Sequence, residues 1–485
     1  MKRLIILPLL LLTLSLWATT YYVKNGGNDL AAGTSDATAW ATLTKVNGSL
    51  FSAGDSILFR RGDTFRGQLI VPSSGAAGNH IVIDAYGTGH KPKIFGAKSL
   101  NDDTDWEIHS GNVWKSTAIA GATSAYVSNY DIANLVFNSD AFCGVRKDAL
   151  VDVDSQGEWF FNTADSLIYL YSASNPGSYY LNIEVAGNYG ETCIRIGNLK
   201  HHITVRNIDA RYSGNWCIYA DRANNVTIEY CDVSWAGGWY AYSNVRQGNG
   251  IGAWLTERRT HDIIIRYNRV SHCYDAGISP QGSGVSFNAY NFDISFNIVT
   301  NCHYGYEIWT TSDDTLTNVN VFNNTFAFSG YSWSYAQRPD AGNDSDVMIW
   351  TTDGLHTSVG IKNNIFYGSR NKSLYIKEET TYGGLELDYN LYYCNVVAMS
   401  AAGTFTTLAI WQTESSQEAH SVSANPLLQL GSYRLRAGSP AIDAGIDVGL
   451  TTDYHGHRIP QGSAPDIGAT EYGNYVLFYN GKQLY

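Results

Sequence analysis

The sequence predicts an all-β protein built as a right-handed parallel β-helix. Three observations predict it. A short apolar pattern recurs through the central part of the 485-residue chain, and most steps between equivalent positions are 23–29 residues. That spacing is the length of one three-strand solenoid coil. With 47 Gly, 34 Tyr and only 16% charged residues, the composition suits many short strands and turns.

Each repeat is an alternating apolar run that leads to an Asn-containing turn. The predicted turn column consists of Asn207, Asn268, Asn297, Asn324, Asn364 and Asn390, with Tyr230 as its exception. Inward Ile, Val and Phe side chains from successive coils would form a continuous core. Asn tolerates left-handed turn geometry, and its amide can bond the Asn of the next coil.

Small residues form a second predicted column along the same repeats. It contains Cys273, Cys302, Ser329, Ser369 and Cys394. We interpret these cysteines as buried spacers in the stack, with a disulfide between neighbouring coils as the alternative. The chain has seven cysteines, so one of them must stay unpaired within the chain.

The pattern divides the chain into five parts. Residues 1–18 read as a secretory signal peptide, with Lys2 and Arg3 before an apolar run. The predicted parts that follow are the start of the β-helix (19–99), a β-rich insertion (100–180), a central β-helix with a groove (181–400), and C-terminal coils with a cap (401–485). The leader predicts a bacterial protein that is secreted or periplasmic.

Charge and motifs restrict the partners. The net charge of −12 argues against nucleic acid as a partner, because phosphate binding requires a basic surface. No stretch after the leader could span a membrane as a helix. No metal-binding motif is present, so the sequence predicts a monomer that needs no cofactor and binds a polysaccharide or oligosaccharide.

Both ends of the mature chain resemble a known superfamily. The opening YYVKNGGNDLAAGTSDATAW with GDSILFRRGDTF, and the closing GSPAIDAG with PDIGATEY, are similar to the ends of secreted bacterial β-helix proteins. These belong to the pectate-lyase-like superfamily. The resemblance implies the β-helix fold and a carbohydrate-active protein: a polysaccharide lyase, a uronate epimerase or a β-helix glycoside hydrolase.

Two steps of the repeat are too long, at 38 and 40 residues. The surplus residues, 234–250 and 329–346, follow the turn in both coils, so they should form loops that wall a groove. Trp235, Trp239 and Tyr242 lie in the first segment, and Trp333 lies in the second. Their rings suit the apolar faces of sugars, although they could instead pack the loops onto the coils.

Carboxylates are predicted on the groove floor. Our alignment places Asp275 and Asp346 in one column with Asn249, and Glu307 two residues further on the same face. Mutual repulsion should raise the pKa of Glu307 and make it a general acid. The alternatives are a solvated acidic strand face, or a calcium site that includes Asp313 and Asp314.

Three functions therefore remain open. The first is a glycoside hydrolase with catalytic Asp275, Glu307 and Asp346. The second is a polysaccharide lyase or uronate epimerase with a Lys, Arg, His or Tyr base, and the third is a non-catalytic glycan-binding protein. The predicted substrate-binding residues are Trp235, Trp239, Tyr242, Arg246, His303, Trp309, Trp333, Arg338 and Lys377.

Overall fold

The protein is a right-handed parallel β-helix, as predicted. Three ten-stranded sheets run along it, and nine successive coils each contribute one strand to each sheet. The computed structural model describes residues 18–117, 132–187, 192–197, 199–241, 245–255, 260–282, 288–310, 315–338, 341–351, 355–377, 382–473, 477–479 and 482–484. Nearly all of the predicted leader, residues 1–17, lies outside this description. Within the described residues, no helix is long and apolar enough to cross a membrane.

The three sheets are numbered in the order in which the chain visits them. Sheet 1 contains Thr20–Val23, Ser56–Arg60, Ile81–Tyr86, His201–Arg206, Asn224–Glu229, His261–Arg266, Asn288–Ser295, Thr315–Phe322, Leu355–Lys362 and Leu385–Asp388. Sheet 2 contains Thr64–Arg66, Lys93–Phe95, Asp209–Ser213, Asp232–Ala236, Arg269–Ser271, Ile298–Thr300, Thr325–Ala327, Ile365–Tyr367, Leu391–Tyr393 and Val422–Ser423. Sheet 3 contains Leu69–Ile70, Ile194–Ile196, Ile218–Asp221, Ile251–Trp254, Ala276–Gln281, Tyr304–Thr310, Ser345–Thr351, Lys372–Ile376, Ala398–Ser400 and Gly403–Phe405.

The core forms because alternate residues of each strand point inward. In sheet 1, Ile263 pairs with Phe292 of the next coil, and Ile265 pairs with Ile294. These side chains are at most 2% exposed. Their neighbours on the same strands face outward, so one apolar column follows another along the axis. Each fully buried Ile or Phe stabilises the fold by about 1.5–3 kcal/mol.

A ladder of asparagines joins five successive coils. The backbone N–H and the side-chain amide of Asn268 both donate to Oδ1 of Asn297, at 3.0 and 3.1 Å. The same pattern continues from Asn297 to Asn324, then to Asn364 and to Asn390. Every member is fully buried. The predicted ladder is confirmed for these five residues.

The predicted column is wrong for Asn207, which lies one residue before the ladder position. The strand pairing places Asn207 beside Tyr230, and the ladder continues instead to Cys231, whose N–H donates to Oδ1 of Asn268. The side chain of Asn207 donates to Asp84. The left-handed backbone also belongs to this preceding column, at Asn207, Tyr230, Tyr267, Phe296, Asn323, Asn363 and Tyr389. The ladder asparagines themselves are not left-handed.

All seven cysteines are free. Cys273 and Cys302 are buried without a disulfide, which agrees with their interpretation as spacers. Burial raises the pKa of the Cys273 thiol, because a thiolate would lose its hydration inside the coil. The fold therefore depends on packing and the ladder rather than on covalent cross-links between coils.

The insertion has a core of its own. A four-stranded sheet contains Ala97–Ser99, Asn134–Phe137, Phe142–Cys143 and Ile183–Ala186. A five-stranded sheet contains Trp106–Ser110, Val113–Ser116, Val145–Arg146, Glu158–Asn162 and Leu167–Tyr171. Trp159, Phe137 and Leu170 are fully buried between them. The insertion leaves the coils after a sheet 2 strand and returns before a sheet 3 strand, so it stands at the corner between these sheets.

The sequence predicted coils and a cap for the C-terminal part, where the structure has a capping helix and a segment that returns along the β-helix. The helix Leu408–Ser415 closes the last coil with fully buried Trp411. The chain then runs back along the outside of sheet 2, where Leu428 and Ile467 pack against coil residues including Ile365. It reaches as far back as Tyr267, whose hydroxyl bonds Thr452.

The remaining elements are short. In the part of the chain that the structure describes, the other α-helices are Leu43–Asn47 and Pro176–Tyr179, and the 3₁₀ helices are Asp36–Thr38, Asp103–Asp105, Leu150–Asp152, Trp333–Ala336 and Ala341–Asn343. Two-stranded pairs join Trp239–Ala241 to Val245–Gln247, Leu428–Gln429 to Arg434–Leu435, and Leu477–Tyr479 to Lys482–Leu484.

We expect Asn297→Ala to lower the free energy of unfolding by about 2–4 kcal/mol, because it leaves the buried amide groups of Asn268 without their acceptor. Urea or thermal unfolding would measure the loss. Asn320→Ala, on the outer face of sheet 1, is the matched control and should change stability by less than about 0.5 kcal/mol. Equal effects of the two variants would contradict a stabilising ladder.

Candidate active site

Three insertions leave the β-helix at the corner between sheets 2 and 3. They are the β-rich insertion and the two segments that connect Asp232–Ala236 to Ile251–Trp254 and Thr325–Ala327 to Ser345–Thr351. The insertions contact one another. Gln337 accepts from the backbone N–H of Arg146 and donates to the carbonyl of Gly144, both at 3.1 Å. Together they border the outer face of sheet 3, which is therefore the candidate groove.

Two columns of outward side chains form the groove floor. In-register pairing of the strands defines the first as Tyr219, Gly252, Ser279, Glu307, Met348 and Tyr375. The second column is Asp221, Trp254, Gln281, Trp309 and Trp350, with Lys377 beyond it. The rings of Trp309 and Trp350 lie 6.2 Å apart edge to face, and Lys377 Nζ lies 3.5 Å from the Trp350 ring centroid.

Glu307 is a nearly buried acid, at 5% exposure. Its Oε2 accepts from Ser279 Oγ at 3.1 Å and from the amide of Gln281. Burial raises the pKa of Glu307 to about 8, and the negative charge of Asp275 contributes to the rise. The two hydrogen bonds and the positive charge of Arg338 oppose the rise. The raised pKa was predicted, but burial rather than repulsion is its main cause.

Asp275 is bound to a buried arginine. Arg338 Nη1 lies 2.7 Å from Asp275 Oδ1, and it also donates to the carbonyl of Tyr274 at 2.9 Å. The guanidinium lies over the rings of Tyr274 and Tyr304, at 5.4 and 5.5 Å from their centroids. The arginine side chain is only 2% exposed, so neither charge of the pair can exchange its partner for water.

The pair of carboxyl groups is therefore asymmetric. The raised pKa favours the protonated form of Glu307, whereas the charge of Arg338 favours the ionised form of Asp275. Two neighbouring acids in different protonation states can act as proton donor and as base or nucleophile. Their burial also excludes the interpretation as a solvated acidic strand face.

The third predicted carboxylate, Asp346, does not lie on the groove floor. It is fully buried inside the coil, where the hydroxyls of Ser329, Ser369 and Ser373 surround it. The alignment missed a bend at the start of these strands. It also set Asp275 in one column with Asp346, whereas the strand register places Asp275 level with Asp344. A side chain at Gly305, the equivalent position one coil earlier, would point at Phe326 in the core. Burial raises the pKa of Asp346 to about 7.

The two predicted wall tryptophans that the structure describes pack against the coils. Trp235 is 4% exposed and stacks on His272 at 4.6 Å. Trp333 donates its indole N–H to the carbonyl of His272 and contacts the ring of Tyr274. These contacts favour the packing alternative. For Trp239 and Arg246 the structure describes only the backbone strands, and Tyr242 lies outside the described residues.

The remaining predicted residues divide between floor and interior. Trp309 and Lys377 lie on the floor, and Arg338 lies beside it through Asp275. His303 is fully buried, so its predicted place on the groove surface is wrong. It follows a turn that directs the ring against Tyr304 instead.

Several floor residues were missed by sequence reasoning. They are Trp254, Ser279, Gln281, Trp350 and Tyr375. The alternation in I-S-P-Q and M-I-W could have identified them, because residues two apart share a face. The sequence alone did not show how the sheet 3 strands on either side of the long loops align with one another.

No group of three or more His, Cys, Asp or Glu side chains that could hold a metal ion occurs within the described ranges. The two acids of the predicted calcium site, Asp313 and Asp314, lie outside those ranges. Calcium binding by this chain therefore stays a prediction.

Comparisons with known proteins identify the fold. No protein-family model matches the sequence. Pectate lyase Pel9A is 13% identical with a TM-score of 0.50, over 94% of this chain and 97% of that one. The complex of XylC with xylose is 13% identical with a TM-score of 0.52, over 79% of this chain and 67% of that one. This is the pectate-lyase-like fold. The fold implied by the resemblance at both ends of the sequence is confirmed.

One curated relative is similar in sequence. A stretch of 131 residues is 36% identical to the lacto-N-biosidase of Bifidobacterium longum subsp. longum. The match covers 24% of this chain and only 8% of that protein, so the chain spans a small part of its length.

The buried carboxyl group of Asp346 allows the structure to be tested by the pH dependence of stability. Burial raises the pKa of Asp346 from 3.8 to about 7. Between these two pH values the carboxyl group keeps its proton in the folded state and loses it in the unfolded chain. The contribution of Asp346 to stability is therefore present at low pH and is lost as pH rises through about 7. We expect Asp346→Asn to raise the melting temperature more at pH about 8 than at pH about 5. An equal shift at both pH values would contradict a buried, titrating acid.

Proposed function

We propose that this protein is a carbohydrate-active enzyme that hydrolyses a glycosidic bond on the outer face of sheet 3. The observation that carries the proposal is the asymmetric pair of Glu307 and Asp275, with Arg338 bound to the second acid. A proton donor and an ionised carboxylate are the two groups that glycoside hydrolysis requires.

Each residue has a definite role in this proposal. Glu307 gives its proton to the leaving oxygen as the bond between that oxygen and the anomeric carbon breaks. Asp275 either takes a proton from the attacking water or attacks the anomeric carbon itself, and water then completes the reaction. Ser279 and Gln281 hold the carboxyl group of Glu307, and Arg338 orients Asp275.

The floor around the acids suits a saccharide. Trp254, Trp309 and Trp350 are half-buried, so part of each ring is available to the apolar faces of sugar residues. The similar proteins include one named lacto-N-biosidase and one solved with xylose, which supports a saccharide substrate. The leader-like N-terminus supports action outside the cytoplasm.

A second candidate is elimination from an acidic glycan. Lys377 lies on the same floor, with its Nζ against the ring of Trp350, and an amine there could act as a base. A lyase product carries an unsaturated uronide that absorbs ultraviolet light, whereas hydrolysis yields reducing ends without that absorbance. Assays on neutral xylan and on polygalacturonate distinguish the two.

We expect Glu307→Gln and Asp275→Asn each to lower turnover at least about a hundredfold, since positioned acid–base groups contribute on that order. Release of reducing ends measures turnover. Glu386→Gln, on an exposed glutamate that pairs with Lys362, is the control and should leave turnover unchanged. If both active-site variants keep full activity while Lys377→Ala abolishes it, elimination replaces hydrolysis as the proposed reaction.

The alkaline limb of the pH profile should report Glu307. Because the acid must be protonated, activity should fall as pH rises through about 8. The amide of Gln281 opposes the raised pKa of Glu307, so Gln281→Leu should move this limb to higher pH. Profiles of kcat/KM for both proteins make the comparison. A limb that stays in place would show that another group limits the rate.

A further inference from the structure

A second surface of the same corner carries an uncovered group of aromatic rings. A column of residues with left-handed backbone lies at the ends of the sheet 2 strands, at the second-last residue of two strands and directly after the other four: Tyr212, Trp235, His272, Asn301, Phe328 and Gly368. Over the first coils this column is covered, because Tyr212 and Trp235 pack with Val136 of the β-rich insertion. From Asn301 onward it borders an open cavity of about 500 Å³. We name the lining of this cavity the aromatic shelf: Asn301, Phe328, Tyr331, Tyr367, Gly368 and Tyr393.

The rings of the shelf are ordered by the coils beneath them. Tyr367 and Tyr393 are paired in register, and their rings are nearly parallel at 5.6 Å. Phe328 packs edge-on against Tyr367 at 5.2 Å. At Gly368 the backbone is left-handed, and a Cβ there would lie 3.3 Å from the ring of Phe328. Glycine therefore permits the turn without crowding that ring.

Two of the rings are unusually open for aromatic side chains. Tyr331 is 56% exposed and Tyr393 is 44% exposed. The guanidinium of Arg370 lies 5.7 Å from the centroid of Tyr331 and 3.2 Å from that of Tyr335, which fixes the base of the loop. An exposed aromatic ring leaves apolar surface in water, and a ligand that covers the ring removes that surface from water. Because these rings are already held in place, binding orders them at little further cost.

The chemistry of the shelf selects its occupant. All six lining residues are uncharged, and they combine ring faces with phenol hydroxyls and one amide. A neutral sugar unit matches this set, since it presents apolar C–H faces and a rim of hydroxyl groups. The guanidinium of Arg370 borders the shelf, but it lies against the rings of Tyr331 and Tyr335. A nucleic acid or an anionic glycan is bound by several cations, and none of the six lining residues is one.

We propose that the aromatic shelf is a second saccharide-binding site, separate from the groove that contains Glu307. It takes a neutral sugar unit of the same glycan chain or of a neighbouring chain. The segment that follows Phe328 links the two sites, because Tyr331 lines the shelf and Arg338 binds Asp275. The choice of a sugar as ligand rests on the proposed function, whereas the cavity and its rings do not.

Binding to a polymer tests the shelf without any need for turnover. The protein carrying Glu307→Gln is run through gels that contain xylan or hydroxyethylcellulose, with polygalacturonate as the anionic comparison. Tyr393→Ala and Tyr331→Ala, each added to this protein, should weaken retention by a neutral polymer about three- to tenfold, as expected for one lost aromatic contact. Tyr179→Ala removes a ring that is 47% exposed on the β-rich insertion, and it should change nothing.

Each other outcome overturns the proposal. Unchanged retention on both neutral polymers, with a lowered melting temperature, would show that the rings serve packing. If Tyr393→Ala instead converts a dimer to a monomer in sedimentation, the shelf binds a second copy of the chain. If removal of residues 474–485 creates retention that was absent before, the shelf binds the chain's own end. None of these results depends on whether Glu307 is the catalytic acid.

Discussion

The asparagine ladder determines the register on which the rest of this structure depends. From Asn297 onward, the side-chain oxygen of each ladder residue accepts from both the backbone N–H and the side-chain amide of the asparagine one coil earlier. A coil therefore cannot slip along its neighbour without breaking buried hydrogen bonds. Fixed register keeps the inward Ile, Val and Phe columns aligned. It also aligns the outward columns of sheet 3, which bring Ser279 beside Glu307 and Trp309 beside Trp350. The ladder ends at the carboxyl group of Glu418, which accepts from Asn390.

The functional surfaces depend on one corner. Chain inserted between sheets 2 and 3 does not disturb the ladder, which lies between sheets 1 and 2. Three insertions use this freedom, and one of them supplies what flat coils lack, a buried cation for Asp275. The coils repeat equivalent side-chain positions along the axis, and the insertion that carries Arg338 gives one coil a charge environment that the others lack.

The sequence predicted the fold because each coil repeats the same local pattern, and it placed Glu307 on the outer face because that strand follows the pattern. Asp275 was aligned two residues out of register with the next coil. The prediction failed where geometry departs from the repeat. Asn207 was misplaced because the left-handed residue precedes the ladder position. Asp346 was misplaced because a bend at the strand start turns two successive residues inward. The ion pair of Asp275 with Arg338 joins residues 63 apart, so only the tertiary structure reveals it.

The returning C-terminal segment restricts how this architecture can change in length. It begins beyond the last coil and makes contacts along sheet 2 back to Tyr267. Its length therefore matches a fixed number of coils. A whole coil added within that interval would move every contact out of step by about 4.8 Å. Growth there is therefore restricted to corner loops, whereas coils that precede the β-rich insertion are free of that penalty. Related chains with different numbers of coils should therefore gain or lose coils in the N-terminal part of the β-helix, which the returning segment does not contact in these hydrogen bonds.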